Sequence, residues 1–416
     1  MTANSLTDPT QELERLVRSG LIDTYFSPVL DFVTGHPAGY MLQHVNREDG
    51  RAGHEEAAAL RRTIRASELV GDFDSSLRAI GLRAAQAAGL PTHTRLFLTA
   101  EPESLVTLED RTDEPDRSVI LQLDPERIVA SPAAVLRSMR QARSLGWGIG
   151  MKSIGLDLRS TAFLPLVNPS VVGLHEDVLK ITDKQHLAEL IRLLHAHTER
   201  TGAVIMVEGV SSEDDLELVR ALGARFITGP LYGQSSREPE PVANPWEDPL
   251  RDHFTRNLAV QGTPFSIARG LKRDPLIMDD ELLRAELGSL LRRALTSGES
   301  TVAIGVFGEE QTLSDGALES FAALRDTAGF TALLSGGFEE PPIPGVRTGA
   351  VDASDPLRSQ YSVMVIGPDW SGMVAADRRS DPGPDGRIQY DVFVTTERYT
   401  CVDAARGALT RVRPLG

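Results

Sequence analysis

Few side chains in this sequence are spaced for chemistry on their own. Cys401 is the single cysteine, so no disulfide closes within the chain and no multi-thiolate zinc site forms. It opens a helix pattern, where a thiol pKa can fall; a plain semi-buried thiol is the competing reading. His195 and His197 flank Ala196 on a helix pattern. Positions two apart do not share a helical face, which argues against joint metal ligation. Asp214 and Asp215 read as helix N-terminal charges favoured by the dipole. Trp246 and Trp370 read as packing anchors, or, for Trp370, as a pocket wall. No Rossmann glycine fingerprint, P-loop or Ser–His arrangement stands in a suitable strand–turn–helix context. Glu208, Lys152 and His175 lie instead at or near the ends of apolar runs.

Those runs alternate with helical patterns. Arg95–Ala100, Ser118–Leu123, Trp147–Met151, Ser170–Leu174 and Ala203–Glu208 read as strands. Ala133–Leu145, Lys184–Thr201 and Ser212–Leu222 carry apolar residues at three- and four-residue spacing and read as helices. Such alternation predicts a parallel α/β sheet or barrel. The proline-rich Gln234–Pro249 stretch reads as a linker. After it the rhythm changes. Helices are predicted at Asp279–Thr296, Asp315–Ala328 and Val402–Val412. Strands are predicted at Thr301–Phe307, Tyr361–Ile366, Gly372–Ala376 and Ile388–Thr395. This predicts a compact α/β or α+β domain.

The order of landmarks in the first half resembles the EAL domain, a modified (β/α)8 TIM-like barrel that cleaves cyclic-di-GMP with two metal ions. The likeness opens at Tyr25–Gly35 (YFSPVLDFVTG) and ends at Thr228–Gly233 (TGPLYG). Carried over position by position, it implies a vestigial site. The metal-binding glutamate of the EAL triplet falls on Met41, and the phosphate-gripping arginine falls on Val45. The next asparagine falls on Thr99 and the glutamate of the following motif on Gln122. Two aspartates fall on Lys152 and Ser153, with the motif glycine kept as Gly155. The lysine that positions the attacking water falls on Gly173, two residues before His175. Glu208 and Gly209 match, while the last glutamate falls on Ser211.

Two-metal hydrolysis needs clustered carboxylates to offset the ion charge. The resemblance therefore implies no catalytic residue and no metal, with one acid left and Lys152 in its midst. Glu208 is read as a strand-end acid paired with a neighbour such as Lys152. Lys152, Gln122 and Glu208 are the candidate contacts if the nucleotide binds uncut. Family members pair through the segment after the aspartate motif, which implies a homodimer seam at Leu156, Phe163, Leu164 and Leu166.

Thr263 to Val412 resembles the DICT domain, a sensory module, on Thr263-Pro264-Phe265, Asp355-Pro356-Leu357, Val365–Pro368 and Val374–Arg378. The expected organisation is a tail (1–12), the EAL-like barrel (13–233), a linker (234–262) and a smaller α/β (α+β) DICT-like domain (263–416). A net charge of −16 disfavours nucleic acid as a partner. No apolar run reaches the ~18 residues of a membrane span, so a cytoplasmic protein without a membrane partner is expected. The acidic Glu101–Asp116 segment reads as a solvated loop or a docking surface. The function expected is a catalytically inactive regulatory protein acting through dimerisation, a signalling partner or ligand sensing. The alternatives are a non-hydrolysing cyclic-di-GMP receptor, and a cofactor- or chromophore-binding sensor through the second domain. No cofactor is expected beyond an unidentified small ligand in that domain.

Overall fold

The computed structural model describes residues 9–49, 54–105, 116–242, 250, 262–309, 313–338, 340–381, 383 and 386–415. Two compact units emerge. The first comprises Met1–Arg127, Arg137–Ser153 and Pro169–Asn257. The second comprises Ile128–Leu136, Ile154–Asn168 and Leu258–Gly416.

The barrel half runs α1 (Pro9–Arg18), β1 (Ile22–Asp31), β2 (Pro37–Asn46), α2 (His54–Arg65), α3 (Val70–Ala87), β3 (Arg95–Thr99) and β4 (Val119–Leu123). It continues through α4 (Pro125–Ala130), α5 (Pro132–Ser144), β5 (Gly148–Ile154), the short α6 (Leu164–Val167), β6 (Val171–Leu174) and α7 (Lys184–Thr201). It ends with β7 (Val204–Val207), α8 (Asp215–Ala221) and β8 (Phe226–Ile227). The eight strands close in sequence order. Strand β1 runs antiparallel to both β2 and β8, whereas the pairs β2–β3, β3–β4, β4–β5, β6–β7 and β7–β8 are parallel. Parallel strands are covered on both faces, which is why they read as continuous apolar runs rather than as alternation. Val29, Phe97, Ile120, Val171, Val204, Met206 and Phe226 fill the interior, with the Phe97 and Phe226 rings edge to face at 6.2 Å.

Two expected boundaries move. Helix α1 begins inside the stretch read as tail, because Leu13 and Leu16 bury against Leu60, Ile64, Phe73 and Leu77. The stretch read as linker starts on the barrel: Phe26 bridges Ser236, the Tyr40 hydroxyl donates to the Glu240 carbonyl at 2.6 Å, and Leu250 joins the interior cluster. Trp246 lies outside the described residues.

Unit 2 adds α9 (Pro264–Ala268), β9 (Leu276–Asp279), α10 (Asp280–Ala294), β10 (Val302–Glu309), α11 (Asp315–Thr327), β11 (Phe330–Gly336) and β12 (Arg347–Ala350). Then follow β13 (Gln360–Ile366), β14 (Ser371–Arg378), β15 (Gln389–Thr395) and α12 (Arg398–Leu409). One sheet has the order β12-β11-β10-β13-β14-β15-β9, parallel among the first three strands and antiparallel thereafter. Helices α10 and α11 cover one face through Leu283, Leu287, Leu291, Phe321 and Leu324. Helices α9 and α12 pack on the same central strands, with the rings of Phe265 and Phe393 at 5.2 Å. Helix α12 buries Cys401, Ala404, Ala405, Ala408 and Leu409.

The segment expected to form a dimer seam is spent inside unit 2. Phe163 and Leu164 are 2% exposed and Leu166 is fully buried. The Phe163 ring meets Phe330 edge to face at 5.1 Å. Arg406, itself buried, donates from Nε to the Leu166 carbonyl at 2.7 Å and from Nη2 to the Pro165 carbonyl at 3.2 Å. Apolar side chains already buried within their own chain are unavailable to a second copy, so the seam is corrected at these three positions. Leu156 alone of the four is exposed.

Candidate functional site

Side chains alternate across a strand with period two. Phe97, Ile120, Val171 and Met206 face the barrel interior, so Thr99, Gln122, Gly173 and Glu208, each two residues further on, face the same interior one layer higher. All lie at the C-terminal ends of parallel strands, where barrels of this kind build their sites. The register agrees, with Thr99 opposite Gln122 and Gln122 opposite Gly150. Six strands thus bring Met41, Thr99, Gln122, Lys152, Gly173 and Glu208 to one mouth.

Their chemistry is mixed. Met41 packs its thioether on the interior cluster, and Val45 is buried as core. Lys152 Nζ reaches Thr99 Oγ1 at 3.5 Å and makes no ion pair among the described residues, so the expected Lys152–Glu208 bridge is not formed. A Cβ on Gly173 would stand 3.3 Å from Glu208 Oε1 and 3.4 Å from Lys152 Cα, so the Glu208 carboxylate occupies the space that a longer residue at 173 would claim. Gln122 is 1% exposed, and its amide nitrogen has no partner among the described residues. Ser153 sits at φ 59°, a left-handed conformation that is uncommon for a residue with a side chain. Gly209 follows Glu208 at φ 79°, where a Cβ would meet the Cβ of Glu176 at 2.5 Å; only glycine fits this turn.

The remaining candidates take structural roles. His175 caps the short helical turn 176–180, its Nδ1 accepting from the Asp177 amide at 3.1 Å. Ser211 donates from its amide and hydroxyl to Asp215 Oδ2 at 2.8 and 3.1 Å. Those bonds, the backbone one first, hold the Asp215 carboxyl below its ordinary range. His195 is exposed and His197 buried, on different faces of α7. Cys401 is the buried thiol of the plainer reading: burial pushes it up to about 11. Trp370 packs within unit 2, its indole donating to Ser297 Oγ at 2.9 Å under the Arg293 guanidinium, 4.2 Å from the ring centre.

Sequence reasoning missed a buried ion-pair layer around the end of β3. Asp74, 1% exposed, is bonded by Arg61, by Arg78 at 3.2 Å and by the Ser104 hydroxyl at 2.5 Å. Glu101 is fully buried between Arg65 at 2.8 Å and Arg127 at 3.0 Å. It is therefore no part of a solvated loop; residues 106–115 of that acidic stretch lie outside the described residues. The signal was present: Arg61 and Arg65 share one face of α2 by their four-residue spacing, as do Asp74 and Arg78 on α3. Among the described residues, no three His, Cys, Asp or Glu side chains converge as a metal site, and no helix is long and apolar enough to cross a membrane.

Similarity to known proteins follows this geometry. A solved FimX EAL domain from Xanthomonas citri, in complex with c-diGMP, covers 57% of this chain and 95% of its own at 15% identity and a TM-score of 0.45. A Vibrio cholerae LapD S helix-GGDEF-EAL structure bound to c-di-GMP covers 54% and 56% at 12% identity and a TM-score of 0.46. An uncharacterized protein of Azorhizobium caulinodans is 23% identical over 159 residues, and the match spans 22% of its length. The EAL domain family model matches residues 10–235, which is more than half of the sequence and coincides with the closed barrel, and the chain belongs to that family.

Proposed function

We propose that the barrel is a non-hydrolysing EAL domain in cyclic-di-GMP-linked signalling, and that unit 2 is its sensory module of DICT type. One observation carries the proposal. Of Met41, Thr99, Gln122, Lys152, Ser153, Gly173, Glu208 and Ser211, only Glu208 is a carboxylate. A thioether, neutral oxygens and one acid do not fit a pair of divalent cations, which need several hard anionic ligands to hold them and to ionise a water. Lys152 adds a positive charge in the same layer. Like charges at about 4 Å repel by about 4 kcal/mol at an effective dielectric of roughly 20, and a divalent ion feels more.

A receptor reading is favoured by two groups at the mouth. The Lys152 ammonium has no carboxylate partner, and the Gln122 amide is a buried donor without an acceptor among the described residues. Both suit a phosphate or a base edge. A homodimer and a protein partner remain part of the proposal, with the seam away from Phe163, Leu164 and Leu166.

The test is calorimetric titration of the whole chain with cyclic-di-GMP in Mg²⁺ or Mn²⁺, with products followed by chromatography. The expected result is no linear product in either metal. Saturable heat that Lys152→Ala removes would establish the receptor; any metal-dependent turnover sinks the proposal.

A further inference from the structure

Unit 2 holds a cavity of about 220 Å³ between α10, α11 and the sheet. Leu283, Leu287 and Leu291 line it in one helical row, and Phe307, Tyr361 and Tyr390 line it from the strands. Arg284, Gly288 and Arg292 form the adjacent row of α10, and the first turn of α11 closes the rim at Ser314 and Gly316.

Three features of this space suit a ligand. First, Gly288 lies inside a helix, where glycine costs about 1 kcal/mol against alanine, yet nothing demands it. A Cβ there would meet only Arg292 Nη1, at 3.4 Å, and one at Gly316 would meet nothing within 4 Å. Second, Tyr390 is 4% exposed and lines the cavity, and its hydroxyl has no hydrogen-bond partner among the described residues, which leaves it able to donate to a ligand. Tyr361, its edge-to-face neighbour at 5.3 Å, is likewise unpartnered. Third, one rim cation is left over. Arg284 is paired with Asp280 at 2.7 Å and Asp315 stands in the first turn of α11, which leaves Arg292 as the lining cation with no ion pair among the described residues.

We propose that this cavity binds a small single-ring carboxylate, its ring against Phe307, Tyr361 and Tyr390 and its carboxylate towards Arg292. The size agrees, since a cavity of roughly 150 Å³ takes benzene. Burial first, then Tyr361 and Asp280, push the Tyr390 phenol up to about 12, which keeps it a donor. The site stands on unit 2 alone and does not depend on the reading of the barrel.

The experiment titrates the full chain with benzoate and with phenylacetate, and with benzamide as the neutral counterpart, by calorimetry and tyrosine fluorescence. At least one carboxylate is expected to saturate, with benzamide weaker by about tenfold, the equivalent of 1.4 kcal/mol. Gly288→Leu fills the space and is expected to abolish binding while keeping the unfolding midpoint. Tyr390→Phe, which changes no volume, is expected to weaken binding several-fold. No saturation by either acid, equal binding of benzamide, or full binding by both variants overturns the proposal.

Discussion

His44 illustrates how a single side chain reports on the barrel wall. It is buried beside α3, its Nδ1 3.1 Å from Thr24 Oγ1, and a Cβ on Gly81 would touch its ring at 3.0 Å. Burial, and then the Arg61 guanidinium, push its pKa down to about 3. An unfolded histidine titrates near 6.5. Below pH 6.5 the unfolded chain therefore binds a proton that the folded chain refuses. The stability from neutral His44 is complete above that pH and falls by up to about 1.4 kcal/mol per unit as the pH drops towards 3. His44→Asn, measured by denaturant unfolding from pH 4.5 to 7, is expected to show a flatter dependence than the parent; parallel curves would refute the assignment. At this scale the mouth of the barrel was largely legible. Strand-end position and family motif together located Thr99, Gln122, Lys152 and Glu208. Their pairings were not legible, because whether Lys152 reaches Glu208 or Thr99 depends on ångström differences across strands far apart in sequence.

Between residues and the whole lie the elements, and the stretch from Ile154 to Asn168 is the instructive one. As sequence it is an apolar loop and invites a surface role. In the fold it contributes Phe163, Leu164 and Leu166 to the core of unit 2, with Thr161 Oγ1 bonded to Ser300 Oγ at 2.8 Å. Phe163→Ala should lower the unfolding free energy by about 3–5 kcal/mol, as for other buried Phe truncations, without changing oligomeric state in light scattering. A change of association state at unaltered stability would restore the dimer seam. The regular elements were more legible than this connector. The predicted helices at Lys184–Thr201 and Asp315–Ala328 fall within a residue of α7 and α11. Strand β11 went unread although Gly329 marks the end of the preceding helix pattern and Phe330–Leu334 is buried throughout. Strand β12, four residues with a glycine and an arginine, carries almost no pattern at all. Its place is set by pairing with β11.

Taken as a whole, unit 2 is assembled from three stretches of chain: Ile128–Leu136, Ile154–Asn168 and Leu258–Gly416. Arg347 Nη2 bonds the Ala130 carbonyl at 3.2 Å, the Leu415 amide bonds the same carbonyl at 2.9 Å, and Arg406 bonds the two carbonyls of α6. A fragment spanning 258–416 would strip Arg406 of those acceptors, leaving it Asp403, and would uncover the Phe330 ring that Phe163 covers. Such a fragment is expected to unfold at clearly lower denaturant than unit 2 does in the full chain, with faster amide exchange in α12. Equal protection in fragment and full chain would contradict this account. Domains that recombine freely are continuous in sequence, so that one cut releases one core. Here a cut at the proline-rich stretch divides a core instead. Exchanging the barrel for another would therefore also have to supply residues 128–136 and 154–168 to complete unit 2.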